Sequence, residues 1–382
     1  MNITPFQIAI EQDAVDELAR RISDVRWPNV ADAHAEERGL SLEWLRGAAQ
    51  YWLDSFDWRG VEARLNQLPQ FTADVDGTTL HFVHARSGGD GVPVLLVHGW
   101  PDSFVRYRDI VEPLVAAGHD VIVPSLPGFL FSGQPSGPLR LTGVAEHLHS
   151  LMRGVGYERY AVSGGDWGSS IVDSLATAHP DAVAALHLTD IPFAKSFAVD
   201  RATATAAEQA YLTSADAWFQ QAAYFAIHAS EPTALATGLA DSPVALLAWI
   251  GSKMRDWSDT EPELEGLLTQ VSLHWFTNDA RSALRLYSEA IDPSAWSDEA
   301  EPSGTIDDDS HQPASGGWGV AAPAIPTGVT VFPQDFLNPP REYAERFYDL
   351  RRYTVAARGG HFGATEDPEF FANELTALLA EV

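Results

Sequence analysis

One nonapeptide constrains this chain more than any other stretch. Residues 162–170 read VSGGDWGSS, preceded by the apolar run RYAVS and followed by the amphipathic, helix-like SSIVDSLATAH. A strand that turns through glycines directly into a helix forms a nucleophile elbow, because only small residues tolerate so sharp a turn and the central side chain is left standing proud of it. That central residue is Asp166 rather than the usual serine. The alternative is a structural turn whose aspartate caps the next helix.

The surroundings fit the elbow. Short apolar runs at 92–99, 119–126, 159–166 and 182–190 alternate with helical stretches, the pattern of a mostly parallel sheet with helices on both faces. Before them, two alternating runs flank Asp76-Gly77, a hairpin signal. From 194 to 300 the chain is helical without a convincing strand, and strand patterns return at 326–335 and 351–360 before a final helix over 367–381. An all-helical insertion between two parts of one sheet predicts a lid. Residues 41–58 form an aromatic amphipathic helix opened by Ser41, and an Asp-, Ser-, Gly- and Pro-rich stretch near 296–319 predicts a surface loop.

Composition removes several chemistries. With 24 Lys plus Arg against 53 Asp plus Glu, the formal charge is −29, which repels phosphate backbones and anionic lipid. The cysteine count is 0, so neither thiolate metal sites nor disulfides form. No apolar run reaches the roughly 18 residues of a membrane span and the N-terminus carries no signal-like segment. The expectation is a cytoplasmic protein with no nucleic-acid partner, no membrane association and no metal.

A triad on this architecture runs nucleophile, acid, histidine along the chain, each near the C-terminal end of a strand. His361, in Gly359-Gly360-His361-Phe362 after the last strand, is the base candidate. Asp335, at the end of VTVFPQD, is the favoured acid because an orienting carboxylate must reach the far imidazole nitrogen; Asp190, one strand earlier, is the alternative. His98-Gly99-Trp100-Pro101 ends an early strand where such folds form an oxyanion hole, so the backbone N–H groups of Trp100 and Trp167 are its candidate donors. His98, Trp100, Pro101, Trp167 and Trp249 are expected to wall the pocket.

An aspartate nucleophile indicates the electrophile. Attack on sp3 carbon by serine leaves an inert ether, whereas a carboxylate leaves an ester that water can open at the aspartate's own carbonyl carbon. The attacked carbon then belongs to an epoxide or an alkyl halide. An epoxide oxygen wants phenol donors, and Tyr224 and Tyr287 in the helical insertion are candidates that could equally be lid core; a halide wants Trp or Asn N–H groups.

PFQIAI, RWP, LEWLRGAAQYW, DGTTLHFVHARS, HGWPDSF, VPSLPGFLFS, GGDWGS, DSPVALLAWI, PTGVTVFP and GGHF together resemble the microsomal-type epoxide hydrolases over nearly the whole chain. The resemblance implies an α/β-hydrolase fold: an N-terminal meander packing on the core (1–70), the core in two parts (71–193 and 321–382), a lid (194–300) and an acidic loop (301–320). It also implies a cofactor-independent hydrolase making vicinal diols from an apolar epoxide, with Asp166 as nucleophile, His361 and Asp335 completing the triad, Tyr224 and Tyr287 as lid acids, and a homodimer by analogy. Roles in detoxification and in natural-product synthesis both remain open, as do a dehalogenase using the same aspartate and a ligand-binding relative without turnover. His187-Leu188-Thr189 stands where the family has HLN, and His228 and Glu231 replace a Gln and a basic residue before Pro232; these departures bear on substrate preference more than on mechanism.

Overall fold

The computed structural model describes residues 1–29, 39–290 and 325–382. Among the described residues nine strands form one sheet: β1 (Ile3–Phe6), β2 (Gln70–Val75), β3 (Thr78–Ala85), β4 (Gly91–Val97), β5 (His119–Pro124), β6 (Tyr160–Gly164), β7 (Val183–Leu188), β8 (Pro326–Val331) and β9 (Asp349–Val355), in the spatial order β1-β2-β3-β5-β4-β6-β7-β8-β9. From β5 onwards across the sheet every pairing is parallel, and β1, β2 and β3 add antiparallel strands at one edge. The β2–β3 turn takes positive φ at both Asp76 (52°) and Gly77 (81°), as a tight right-twisted hairpin requires.

The central strands are apolar throughout because both their faces are covered. In β4, Leu95 and Val97 enter the core on one face, with Leu148, Leu151, Ile171 and Leu175 of the helices Leu141–Gly154 and Trp167–Ala178. Val94 and Leu96 enter the opposite core with Ile110 and Leu114 of Arg108–Ala116 and Phe371 and Leu375 of Pro368–Leu379. The alternation expected of a strand thus feeds two cores, the α/β-hydrolase architecture.

Between β7 and β8 the described residues form a set of inserted helices, among them Ala206–Gln221, Ala223–Ser230, Pro243–Asp256, Leu264–Thr277 and Arg285–Glu289. The N-terminal segment packs on both bodies. Trp58, Val61 and Leu65 join the sheet's core, while the helix Leu42–Asp54, capped by Ser41 Oγ accepting from Trp44 N–H at 3.0 Å, lies on the inserted helices Pro243–Asp256 and Leu264–Thr277. Its buried Trp52 donates from Nε1 to Ser272 Oγ at 3.0 Å, and the Arg255 guanidinium sits 4.6 Å over the Trp44 ring. The acidic loop expected at 301–320 and the last part of the expected lid lie outside the described residues.

Candidate active site

Asp166 sits between β6 and the helix Trp167–Ala178 with φ 57° and ψ −133°, a conformation that costs a residue with a side chain about 1–3 kcal/mol and persists only where the surroundings enforce it. Two glycines make the enforcement sterically feasible. A Cβ on Gly168 would lie 2.1 Å from the Val97 carbonyl oxygen, and one on Gly99 would lie 2.0 Å from Asp166 Oδ1. The carboxylate is held asymmetrically. Oδ1 accepts from Trp167 N–H at 2.7 Å and from Trp100 N–H at 3.0 Å, and Oδ2 lies 3.3 Å from His361 Nε2. That last distance gives charge attraction without an aligned hydrogen bond, for Nε2 has no hydrogen-bond partner.

His361 is buried in the loop after β9, its backbone N–H donating to Trp257 O at 2.7 Å. Nδ1 meets Asp335 Oδ1 at 3.1 Å, and Asp335 is fixed in turn by Phe336 N–H at 2.8 Å. Burial works against the charged imidazole, but the adjoining carboxylates of Asp335 and Asp166 outweigh it and raise its pKa to about 10. The alternative acid, Asp190, makes no contact with the imidazole among its hydrogen bonds. It accepts Asp166 N–H at 2.6 Å and adjoins Ser169 Oγ at 2.5 Å.

Tyr224 and Tyr287 come from two of the inserted helices, Ala223–Ser230 and Arg285–Glu289, and reach the same cavity, their rings 6.1 Å apart. Burial pushes both phenols well above their ordinary pKa, so both remain donors. The Tyr287 hydroxyl is buried without a hydrogen-bond partner, an uncommon condition for a polar group. The cavity holds about 490 Å³. Asp166, Trp167, Asp190 and the two tyrosines line it, and Phe193, Trp218, Phe219, Phe225, Phe336 and Leu337 make much of its wall apolar.

Of the five residues expected to wall the pocket, Trp167 does so. His98, Trp100 and Pro101 do not, because the chain after β4 turns the Trp100 N–H toward the elbow and its side chains away, and neither does Trp249 on the helix Pro243–Asp256. His98 is fully buried, its Nδ1 2.9 Å from Gly99 O and its Nε2 accepting from Leu126 N–H. The Trp100 indole stacks behind Tyr224 (5.9 Å, 15°) and meets Tyr287 edge-on. The Pro101 carbonyl accepts from Gln270 Nε2 at 3.0 Å, and Trp249 Nε1 donates to His228 Nε2 at 2.9 Å. The sequence reading missed the real aromatic wall, since Phe219 and Trp218 look like lid core by spacing; only Phe225 and Phe336 stand next to a singled-out residue. It also missed Arg106, which pairs with Asp102 at 2.9 Å in the interior and donates to the His361 carbonyl at 2.8 Å. Among the described residues no cluster of potential ligands could hold a metal ion.

The fold and this elbow define an α/β hydrolase with an aspartate at the nucleophile position, and the model of the alpha/beta hydrolase fold matches residues 92–368. The model of the epoxide hydrolase N terminus matches residues 3–107. The structure of Aspergillus niger epoxide hydrolase is 30% identical, with a TM-score of 0.85 over 100% of this chain and 97% of its own. Juvenile hormone epoxide hydrolase of the silkworm Bombyx mori is 26% identical, with a TM-score of 0.83 over 100% and 94% of the two chains. Epoxide hydrolase 1 of Sus scrofa is 27% identical over 99% of this chain and 88% of its own. This chain belongs to the microsomal-type epoxide hydrolase family, and it is an epoxide hydrolase.

Among the described residues no single helix is long and apolar enough to cross a membrane; only the helices Pro232–Asp241 and Pro243–Asp256 pass together, across a 118° bend.

Proposed function

We propose that this enzyme opens a bulky, apolar, aryl-bearing epoxide to a vicinal diol through an ester on Asp166. The observation that carries the reading is the asymmetry of that carboxylate: Oδ1 is pinned by two backbone N–H groups, while Oδ2 is unpinned and adjoins His361. Oδ2 attacks one oxirane carbon, the carbon–oxygen bond breaks, and the alkoxide takes a proton from Tyr224 or Tyr287, which solvent restores. Two phenols that stay protonated in an apolar cavity suit an oxygen leaving group better than a halide.

Ester formation removes the charge of Asp166 and with it part of the attraction that holds the His361 proton. The imidazole then passes its proton to solvent, matching the one the tyrosine took up, and can act as a base, oriented through Nδ1 by Asp335. It takes a proton from a water that adds to Cγ of Asp166. The negative oxygen of the tetrahedral adduct is Oδ1, already seated on the N–H groups of Trp100 and Trp167, where such donors lower the barrier by about 2.7–4 kcal/mol each. Collapse expels the diol oxygen, which takes a proton from His361, and the acid left on Asp166 returns one. Trp218, Phe219, Phe225 and Phe336 form the wall that selects for an apolar, aromatic substituent.

Single turnover in heavy-oxygen water tests the ester route. The first diol should carry no label while one labelled oxygen enters the Asp166 peptide; label passing straight from solvent into that diol sinks it. Halide release from haloalkanes with no turnover of aryl epoxides sinks the substrate class.

A further inference from the structure

Asp190 follows β7 at the cavity wall and is not used by the mechanism above, yet it accepts the backbone N–H of the nucleophile and reaches its carbonyl through Ser169. Its Oδ2 accepts the Asp166 N–H at 2.6 Å. Its Oδ1 lies 2.5 Å from Ser169 Oγ, and that same Oγ lies 2.7 Å from the Asp166 carbonyl oxygen. The hydroxyl has a single proton, and the carbonyl oxygen can only accept. With an ionised Asp190, two acceptors would share that proton, leaving one of two short oxygen–oxygen contacts with none between. A proton on Asp190 Oδ1 resolves it: Oδ1–H donates to Ser169 Oγ, Oγ–H donates to the Asp166 carbonyl, and Asp166 N–H donates to Oδ2. Every donor then has an acceptor.

We propose that Asp190 works as a neutral carboxylic acid, a positioning residue whose proton closes a hydrogen-bonded ring around the Asp166 backbone and holds the elbow in its strained conformation. The inference rests on the reading of Asp166 as nucleophile. Among the described residues no ion pair involves Asp190. Its charged neighbours are Asp166, Asp335 and His361, with the phenols of Tyr107, Tyr211 and Tyr348 further out. Burial, followed by the Asp335 charge, raises the Asp190 carboxyl to about 6 against the partial compensation of His361. An apolar substrate that fills the cavity takes the remaining water from Asp190 and favours the neutral acid further. Ionisation opens the ring, so ester formation slows as pH rises through about 6 in the free enzyme, and at higher pH once substrate is bound.

Asparagine is an isostere of the neutral acid: its N–H can donate to Ser169 and its oxygen can accept from Asp166. Full-length Asp190→Asn and Asp190→Ala enzymes should be compared by single-turnover ester formation from an aryl epoxide across pH 5 to 9. The Asn enzyme should keep the low-pH rate within a few-fold and lose the decline centred near 6, whereas the Ala enzyme should fall about 100-fold, the scale of a misplaced reactive group. An Asn enzyme as slow as the Ala enzyme, or one with the parent's pH decline unchanged, overturns the proposal, and the Asn comparison stands even where the Ala chain fails to fold. The infrared difference between parent and Asp190→Asn should also contain a protonated-carboxyl C=O band that fades as pH rises; its absence at pH 5 overturns the proposal whatever the activity. The band in a parent that turns over no epoxide would instead refute the functional reading and leave the proton where it is placed here.

Discussion

Replacing Tyr287 by phenylalanine should move stability and rate in opposite directions. The Tyr287 hydroxyl is buried without an aligned hydrogen-bond partner in the free enzyme, so its removal relieves the desolvation of a polar group, worth about 1–3 kcal/mol. The ring itself stays, packed edge-on against Trp167 at 5.1 Å and Phe225 at 5.1 Å. In the mechanism proposed above the same hydroxyl is one of two donors to the opening epoxide oxygen. Losing one preorganised donor costs about 2.7–4 kcal/mol, or roughly 10²–10³-fold in ester formation. The ground-state ether oxygen carries little charge, so substrate affinity should change far less than rate. Stopped-flow quenching of tryptophan fluorescence under single-turnover conditions measures the rate, and thermal unfolding measures stability. A less stable variant that forms ester as fast as the parent would refute the assignment, since the hydroxyl would then be a structural group and not an acid.

Two further substitutions probe the base and the scaffold. His361 is raised from 6.5 to about 10, so its contribution to stability is fully present below 6.5 and is lost as pH rises through about 10. Asp335→Asn should lower that folded pKa, so the fall in urea-unfolding free energy between those limits ends at lower pH and is smaller in total; identical pH dependence in the two proteins would contradict the pairing. Trp52→Ala empties a buried site and breaks the bond to Ser272, which should cost about 3–5 kcal/mol and raise KM through the lid helix it supports. An unchanged melting temperature would show that the N-terminal segment does not hold the lid.

The core architecture was legible because central parallel strands read as unbroken apolar runs and because the elbow needs its glycines. β1 was not, being four residues with Pro5 inside, too short for a period and placed at the sheet edge where proline is tolerated. Asp166, His361 and Asp335 could be picked from chain order alone, since each ends or follows a strand on one edge of the sheet. The pocket wall could not. Sequence proximity to His98 suggested His98, Trp100 and Pro101, but a residue at the end of a strand presents either backbone or side chain to the site, and no pattern along the chain distinguishes them. Arg106 was illegible for another reason: its partner is the carbonyl of His361, 255 residues away, and a carbonyl has no sequence signature. Asp190 was visible as a carboxylate after a strand, but its contact with the elbow and its separation from the imidazole depend on the register of β6 against β7, where Gly164 pairs with Leu188.

The central claim is a covalent bond between substrate and Asp166. His361→Gln removes the group proposed to activate water against the ester and leaves Asp166 and both tyrosines intact. Mixed with an aryl epoxide and analysed by intact-protein and peptide mass spectrometry, this variant should gain one epoxide mass per chain, located on the peptide containing Asp166. Diol formation by the variant without an adduct, or an adduct on any other residue, would contradict the mechanism.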